Sequence, residues 1–223
     1  MKLYKTSLSG NSNIGLYGFC NDQYCLLAHE FTPEQVATIH EVLRVPVYQI
    51  KISHTSLIGA LVTGNSRVLL VPNITDDPEL MVLKRLNIPY KVIPSKITAL
   101  GNAILCNDAG ALVHREYSAD VKKIIRQALN VRLHPGEIAN TEVPGSCVVY
   151  NSRAAIIHAF ATQEQIKEVE DLLGVPCTKA TVNFGSPMIR SGLLANSHGM
   201  IIGDSSTGIE IENIYEALGF LQQ

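Results

Sequence analysis

The stretch Gly101–Leu133 reads GNAILCNDAGALVHREYSADVKKIIRQALNVRL. Two short apolar runs, Ile104-Leu105-Cys106 and Leu112-Val113, flank the pair Asn107-Asp108. Asn tolerates the left-handed backbone of a tight reversal, so the two runs form a β-hairpin. Ala119–Leu129 follows as a helical run, and Val131–Leu133 begins a third strand. The unit is strand, turn, strand, helix, strand.

The same unit recurs along the whole chain. Asn-Asp or Asn-Ser pairs stand at Asn21, Asn65, Asn107, Asn151 and Asn196, at intervals of 44, 42, 44 and 45 residues in a chain of 223. Such a period marks a repeat architecture. These Asn are turn residues, not a catalytic ring. Helical runs are expected at Pro33–Leu43, Pro78–Leu86, Ala119–Leu129, Gln163–Leu173 and Gly208–Leu218. Val36, Ile39 and Leu43 in the first, and Ile166, Val169 and Leu173 in the fourth, give one buried stripe each. Thr32 with Gln35, Thr162 with Gln165 and Thr207 with Glu210 have capping-box spacing, and Pro33 suits a first helical position. Pro46, Pro89 and Pro176 stop three helices. Third strands follow at Val47–Ile52, Tyr90–Ile93, Val131–Leu133 and Cys177–Val182. The fifth unit has none, whereas Lys2–Leu8 is a strand with no unit of its own. The expected organisation is a single domain with units 9–53, 54–97, 98–140, 141–184 and 185–223, strand 2–8 completing the fifth. Such closure removes the exposed sheet edges of an open array.

Composition narrows the function. The formal charge is −2, with 18 basic and 20 acidic residues, which argues against binding nucleic acid by charge alone. No apolar run approaches the ~20 residues of a membrane helix, and the polar N-terminus carries no signal-type apolar core. Five Cys without a CxxC pair read as reduced thiols in a cytoplasmic protein.

The runs Thr98–His114, Ile58–Leu80, TVNFGS (Thr181–Ser186) and GDSSTGIE (Gly203–Glu210) resemble the translation initiation factor 6 family over essentially the whole chain. The resemblance implies the pentein fold, a five-bladed α/β propeller of ~45-residue ββαβ units with pseudo-fivefold symmetry. It implies a monomeric, non-enzymatic factor, with no cofactor, metal, membrane or DNA partner. Such a factor binds the large ribosomal subunit through protein uL14 near the sarcin–ricin loop, prevents premature joining of the small subunit and accompanies large-subunit maturation. A GTPase and its cofactor protein release it, and this chain has no nucleotide loop of its own. The location is cytoplasmic, with nucleus and nucleolus added for a eukaryotic member. Phe184 replaces the family's Arg, Val68 its Gly, and Ser205-Ser206 a Thr-rich pair.

The alternative is a guanidino-modifying enzyme, because the same fold hosts hydrolases and amidinotransferases with a Cys nucleophile in the last repeat. Here the last Cys is Cys177, in the fourth unit, and Cys20 and Cys106 take equivalent places before their turns, as small core residues do. His29, His114 and His158 fall at one repeat position, just after the second strand, but only three blades of five carry them, so no metal is expected. Lys122, Lys123 and Arg126 make a small basic face suited to solvent.

The segments leading into each first strand must share one end of the ring. The expected ribosome-binding face is therefore Ile14 and Gly15; Leu57, Ile58 and Gly59; Ala99, Leu100, Gly101 and Asn102; Val143, Pro144 and Gly145; Pro187, Met188 and Arg190. These are mostly apolar or small, as at the centre of a protein contact. Asn102 is the polar exception and matches the Asn of the family's ALGN motif.

Overall fold

The computed structural model describes residues 2–221. Gln222 and Gln223, the expected end of the fifth unit, lie outside the described residues. Five three-stranded sheets surround one axis. Within each, an antiparallel hairpin is extended by a parallel strand, as in Ile104–Cys106 with Gly110–Val113 and then Arg132–Pro135. Leu3–Thr6 supplies that parallel strand to the last sheet, pairing Leu3 with Met200 and Thr6 with Gly203. The N-terminal strand closes the ring. Pro46, Pro89 and Pro176 do more than stop helices: their carbonyls accept from Cys25, Leu69 and Ala155 N–H at 2.8 Å, the first rung of each parallel ladder.

The long helices are Pro33–Leu43, Asp77–Arg85, Ala119–Leu129, Gln163–Leu173 and Gly208–Ala217. The three expected capping boxes are present, and Asp76 with Glu79 makes a fourth. Each hydrophobic cluster straddles two blades. Ile39, Val42 and Leu43 of the first blade pack with Leu194 and Ile201 of the fifth, and Val169 and Leu173 of the fourth with Leu105 and Leu112 of the third. Each such fully buried Ile or Leu contributes about 1.5–3 kcal/mol, so no blade is stable without its neighbour.

Several strands stop earlier than their apolar patterns suggest. Lys2–Leu8 is paired only over Leu3–Thr6, Val47–Ile52 over Val47–Gln49 and Cys177–Val182 over Cys177–Ala180. Leu8, Ile52 and Val182 bridge to Asn11, Thr55 and Ser186 instead. Between those partners the backbone turns left-handed, at Ser9-Gly10, Ser53-His54 and Asn183 to Gly185. The residue three past the cap holds two of these turns, those beside the second and fifth long helices. Glu79 accepts from Ser53 and His54 N–H at 2.7 and 2.8 Å, and Glu210 from Phe184 and Gly185 at 3.2 and 2.8 Å.

Candidate functional site

The ring has two dissimilar ends. Helix N-termini, the left-handed turns and the segments before each first strand lie at one end. Hairpin turns and helix C-termini lie at the other.

At the first end a short helical turn precedes each first strand: Ile14–Tyr17, Ile58–Leu61, Leu100–Ala103, Pro144–Cys147 and Ile189–Gly192. These five turns plug the channel. A Cβ on Gly59 would lie 1.9 Å from the Gly15 carbonyl oxygen, one on Gly101 2.0 Å from that of Gly59, and one on Gly145 2.2 Å from that of Gly101. One on Gly15 would lie 1.8 Å from the Arg190 oxygen. Each Gly thus admits the backbone of the blade before it, and a side chain cannot fit there. This corrects the expected face. Gly15, Gly59, Gly101 and Gly145 are buried, as are Ile14, Ile58, Leu100 and Pro144, whose side chains fill the structure beneath the plug. Their side chains are closed off from the surface of this end.

The other expected residues keep exposure. Leu57 is 41% exposed, and Ala99, Asn102, Val143, Pro187 and Met188 are half-buried. At the periphery of this end stand large apolar residues that composition did not reveal: Ile74, Phe160, Phe184 and Ile209, with Phe184 81% exposed at a left-handed turn. The polar residues here tie neighbouring blades together. Ser12 Oγ donates to Asp204, and Ser56 Oγ to Glu30. His114 meets Glu142 at 3.6 Å, while Arg115 meets Glu137 at 3.1 Å within the third blade.

Arg190 departs from expectation most. It occupies the fifth place in the series Gly15, Gly59, Gly101, Gly145, and its side chain lines the channel instead of facing a partner. Its Nη2 donates to the Val62 carbonyl at 3.1 Å, and the guanidinium carbon lies 6.0 Å from the Phe19 ring centre. The channel is a cavity of about 550 Å³, and its other lining residues include Cys20, Thr63, Asn107 and Tyr150. Tyr150 Oη donates to the Cys106 carbonyl. Burial pushes the Cys20 thiol up to about 12 and that of Cys106 to about 11. Burial first, then the Glu170 charge, raises Cys177 to about 12. Cys20 lines the cavity and keeps partial exposure, which corrects its reading as a core slot.

The three His do not form one set. His114 and His158 are equivalent, each accepting through Nδ1 from the N–H two residues on. His29 lies one residue past the corresponding place, held by Ala28, and is exposed, because Ala28 N–H, not that of His29, bonds back to Tyr17. At the hairpin end each Asn Oδ1 accepts from the two N–H groups of its own turn, as Asn107 does from Ala109 and Gly110 at 2.8 and 3.0 Å. Among the described residues no helix is long and apolar enough to cross a membrane.

The model of the eIF-6 family matches residues 3–217. A protein named Translation initiation factor 6 from Sulfolobus acidocaldarius is 39% identical over 97% of this chain and 99% of its own length. Proteins of the same name from Methanosarcina mazei and Pyrococcus abyssi are each 34% identical, over 99% of this chain and 97% and 100% of theirs. Among solved structures, the N-terminal domain of ArgZ, a cyanobacterial arginine dihydrolase, superposes with a TM-score of 0.53 at 12% identity, over 87% of this chain and 73% of that one. At that identity the likeness is one of fold, the five-bladed pentein ring.

Proposed function

The chain belongs to the eIF-6 family, and from that membership we propose that it binds the large ribosomal subunit through the plugged end of its ring and sterically prevents premature joining of the small subunit. The docking partner is protein uL14, beside the sarcin–ricin loop, and release falls to a GTPase with its cofactor protein. The bound state also serves large-subunit maturation. The observation that carries this is the surface of the plugged end. Leu57, Ala99, Asn102, Val143, Pro187 and Met188 surround the axis there, with exposed Ile74, Phe160, Phe184 and Ile209 further out. A surface on which apolar residues predominate from the axis outward suits a protein contact better than an RNA contact, which favours cations.

The guanidino-enzyme alternative has less support. A nucleophilic Cys needs a lowered pKa and a neighbouring base. The channel thiols are pushed the other way by burial, and the cation beside them is a fixed Arg. The test is co-sedimentation of the pure protein with isolated large and small subunits. The expected result is retention on the large subunit alone and loss of joined ribosomes in a gradient. Equal retention on both subunits, or joining that proceeds unhindered, would overturn the proposal.

A further inference from the structure

The break in the glycine series gives the channel a feature that the ring itself does not need. Four blades place Gly beside their neighbour's carbonyl, and the fifth places Arg190, whose long side chain lines the cavity. A guanidinium has five N–H donors. One is used on the Val62 carbonyl, and among the described residues no carboxylate pairs with the group. The nearest ionisable neighbours are Cys20, Cys106 and Tyr150, all held neutral at physiological pH by burial. Asp22 and Asp108 belong to the mouth, where Asp22 accepts from Ser197 N–H and Oγ, both at 2.7 Å, and Asp108 from Ser66 N–H and Oγ at 3.1 and 2.9 Å. Arg190 is half-buried at the cavity wall; a guanidinium stays charged when partly desolvated, and a charge there lacking a counter-ion is costly.

We propose that the channel binds a small monocarboxylate with an apolar body, its carboxylate paired with Arg190. The planar guanidinium matches a carboxylate with two parallel bonds. The walls above it are largely apolar, from Phe19, Val148, Val149, Leu193 and Leu194. They suit a carbon skeleton better than they suit the outward-facing oxygens of phosphate or sulfate. A cavity of about 550 Å³ lies in the ordinary range for small-molecule sites. The mouth is at the hairpin end, so occupancy does not compete with the surface assigned above to the ribosome.

The probe is 4-fluorobenzoate, followed by fluorine NMR, with 4-fluorobenzamide as the neutral shape control and hexanoate as an aliphatic competitor. The expected result is saturable binding of the acid, displacement by hexanoate and no binding of the amide. Arg190→Gln should weaken the acid about tenfold or more. Ala109→Trp at the exposed mouth leaves Arg190 intact and should also block binding, which covers the case in which the Arg190 variant misfolds. No binding of the acid at millimolar concentration, equal binding of acid and amide, binding that survives in a folded Arg190→Gln, or stronger displacement by inorganic phosphate than by hexanoate would each overturn the proposal.

Discussion

Asn196 Nδ2 donates to the carbonyl of Leu43 at 2.8 Å and so joins the last repeat to the first across 153 residues of chain. The same bond runs from Asn65 to Leu129, Asn107 to Leu173 and Asn151 to Leu218. Each hairpin thus latches onto the last turn of the next blade's helix. Asn21 is the exception, and its Nδ2 is buried without a partner. The cause lies in the second blade. Its left-handed residue Asn87 stands eleven places after the cap Asp76, whereas Arg44, Asn130, Gly174 and Gly219 stand twelve after theirs. The helix is one residue short, and the Leu86 carbonyl is not presented to Asn21.

Asn196→Ala should cost about 2–3 kcal/mol, because it removes two turn bonds and leaves the Leu43 carbonyl without this donor. Asn21→Ala should cost about 1 kcal/mol less, since it removes the turn bonds together with an unsatisfied donor. Urea denaturation of both variants measures the difference. Equal losses would show that the latch contributes nothing.

Deleting the first six residues should lower stability by several kcal/mol, on the order of a lost buried strand. It strips the parallel partner from Met200–Gly203 and exposes that edge. The melting temperature and the sedimentation of the truncated chain report both effects. Melting with the parent would show that the ring closes without this strand.

Acid should weaken the protein through Glu210. Its burial raises the pKa, but bonds from Thr207, Gly185 and Thr181 outweigh that and hold it at about 2, against an ordinary 4.5. The folded value is the lower one. The stabilisation is therefore complete above pH 4.5 and disappears as pH falls toward about 2. Glu210→Gln should flatten stability over that window and still fold, because Gln35 and Gln165 hold the equivalent places. An unchanged acid profile would remove Glu210 from the account.

The thiols should be inert in the folded protein. With Cys20 and Cys177 at about 12 and Cys106 at about 11, the thiolate fraction at pH 8 is at most about one in a thousand. Alkylation by iodoacetamide should be slow until denaturant is added. Cys177→Ser should leave subunit binding intact. Rapid labelling of one thiol, or turnover of arginine lost in that variant, would reopen the enzyme alternative.

Three substitutions at the plugged end separate surface from support. Leu57→Asp should abolish large-subunit binding with little change in melting, and Asn102→Ser should weaken it, because both side chains are accessible. Leu100→Asp should instead unfold the protein, since that side chain is fully buried and an unpaired carboxylate there costs several kcal/mol. Folded Leu57 and Asn102 variants that still bind would move the contact to another part of the ring.

Local chemistry made most of the architecture legible in the sequence. The bounds Pro33–Leu43, Ala119–Leu129 and Gln163–Leu173 and three capping boxes follow from interactions within a few residues. The five Asn turns and the unpaired N-terminal strand likewise pointed to a closed ring. The site was less legible, because residues of one short segment there have opposite fates. Leu57 faces out, Ile58 faces in, and Gly59 receives the backbone of a blade more than forty residues away. Whether Arg190 reaches a partner or the channel depends on the four other blades around the axis. Side-chain direction across a seam is set by the neighbouring blade, and only the assembled ring supplies that neighbour.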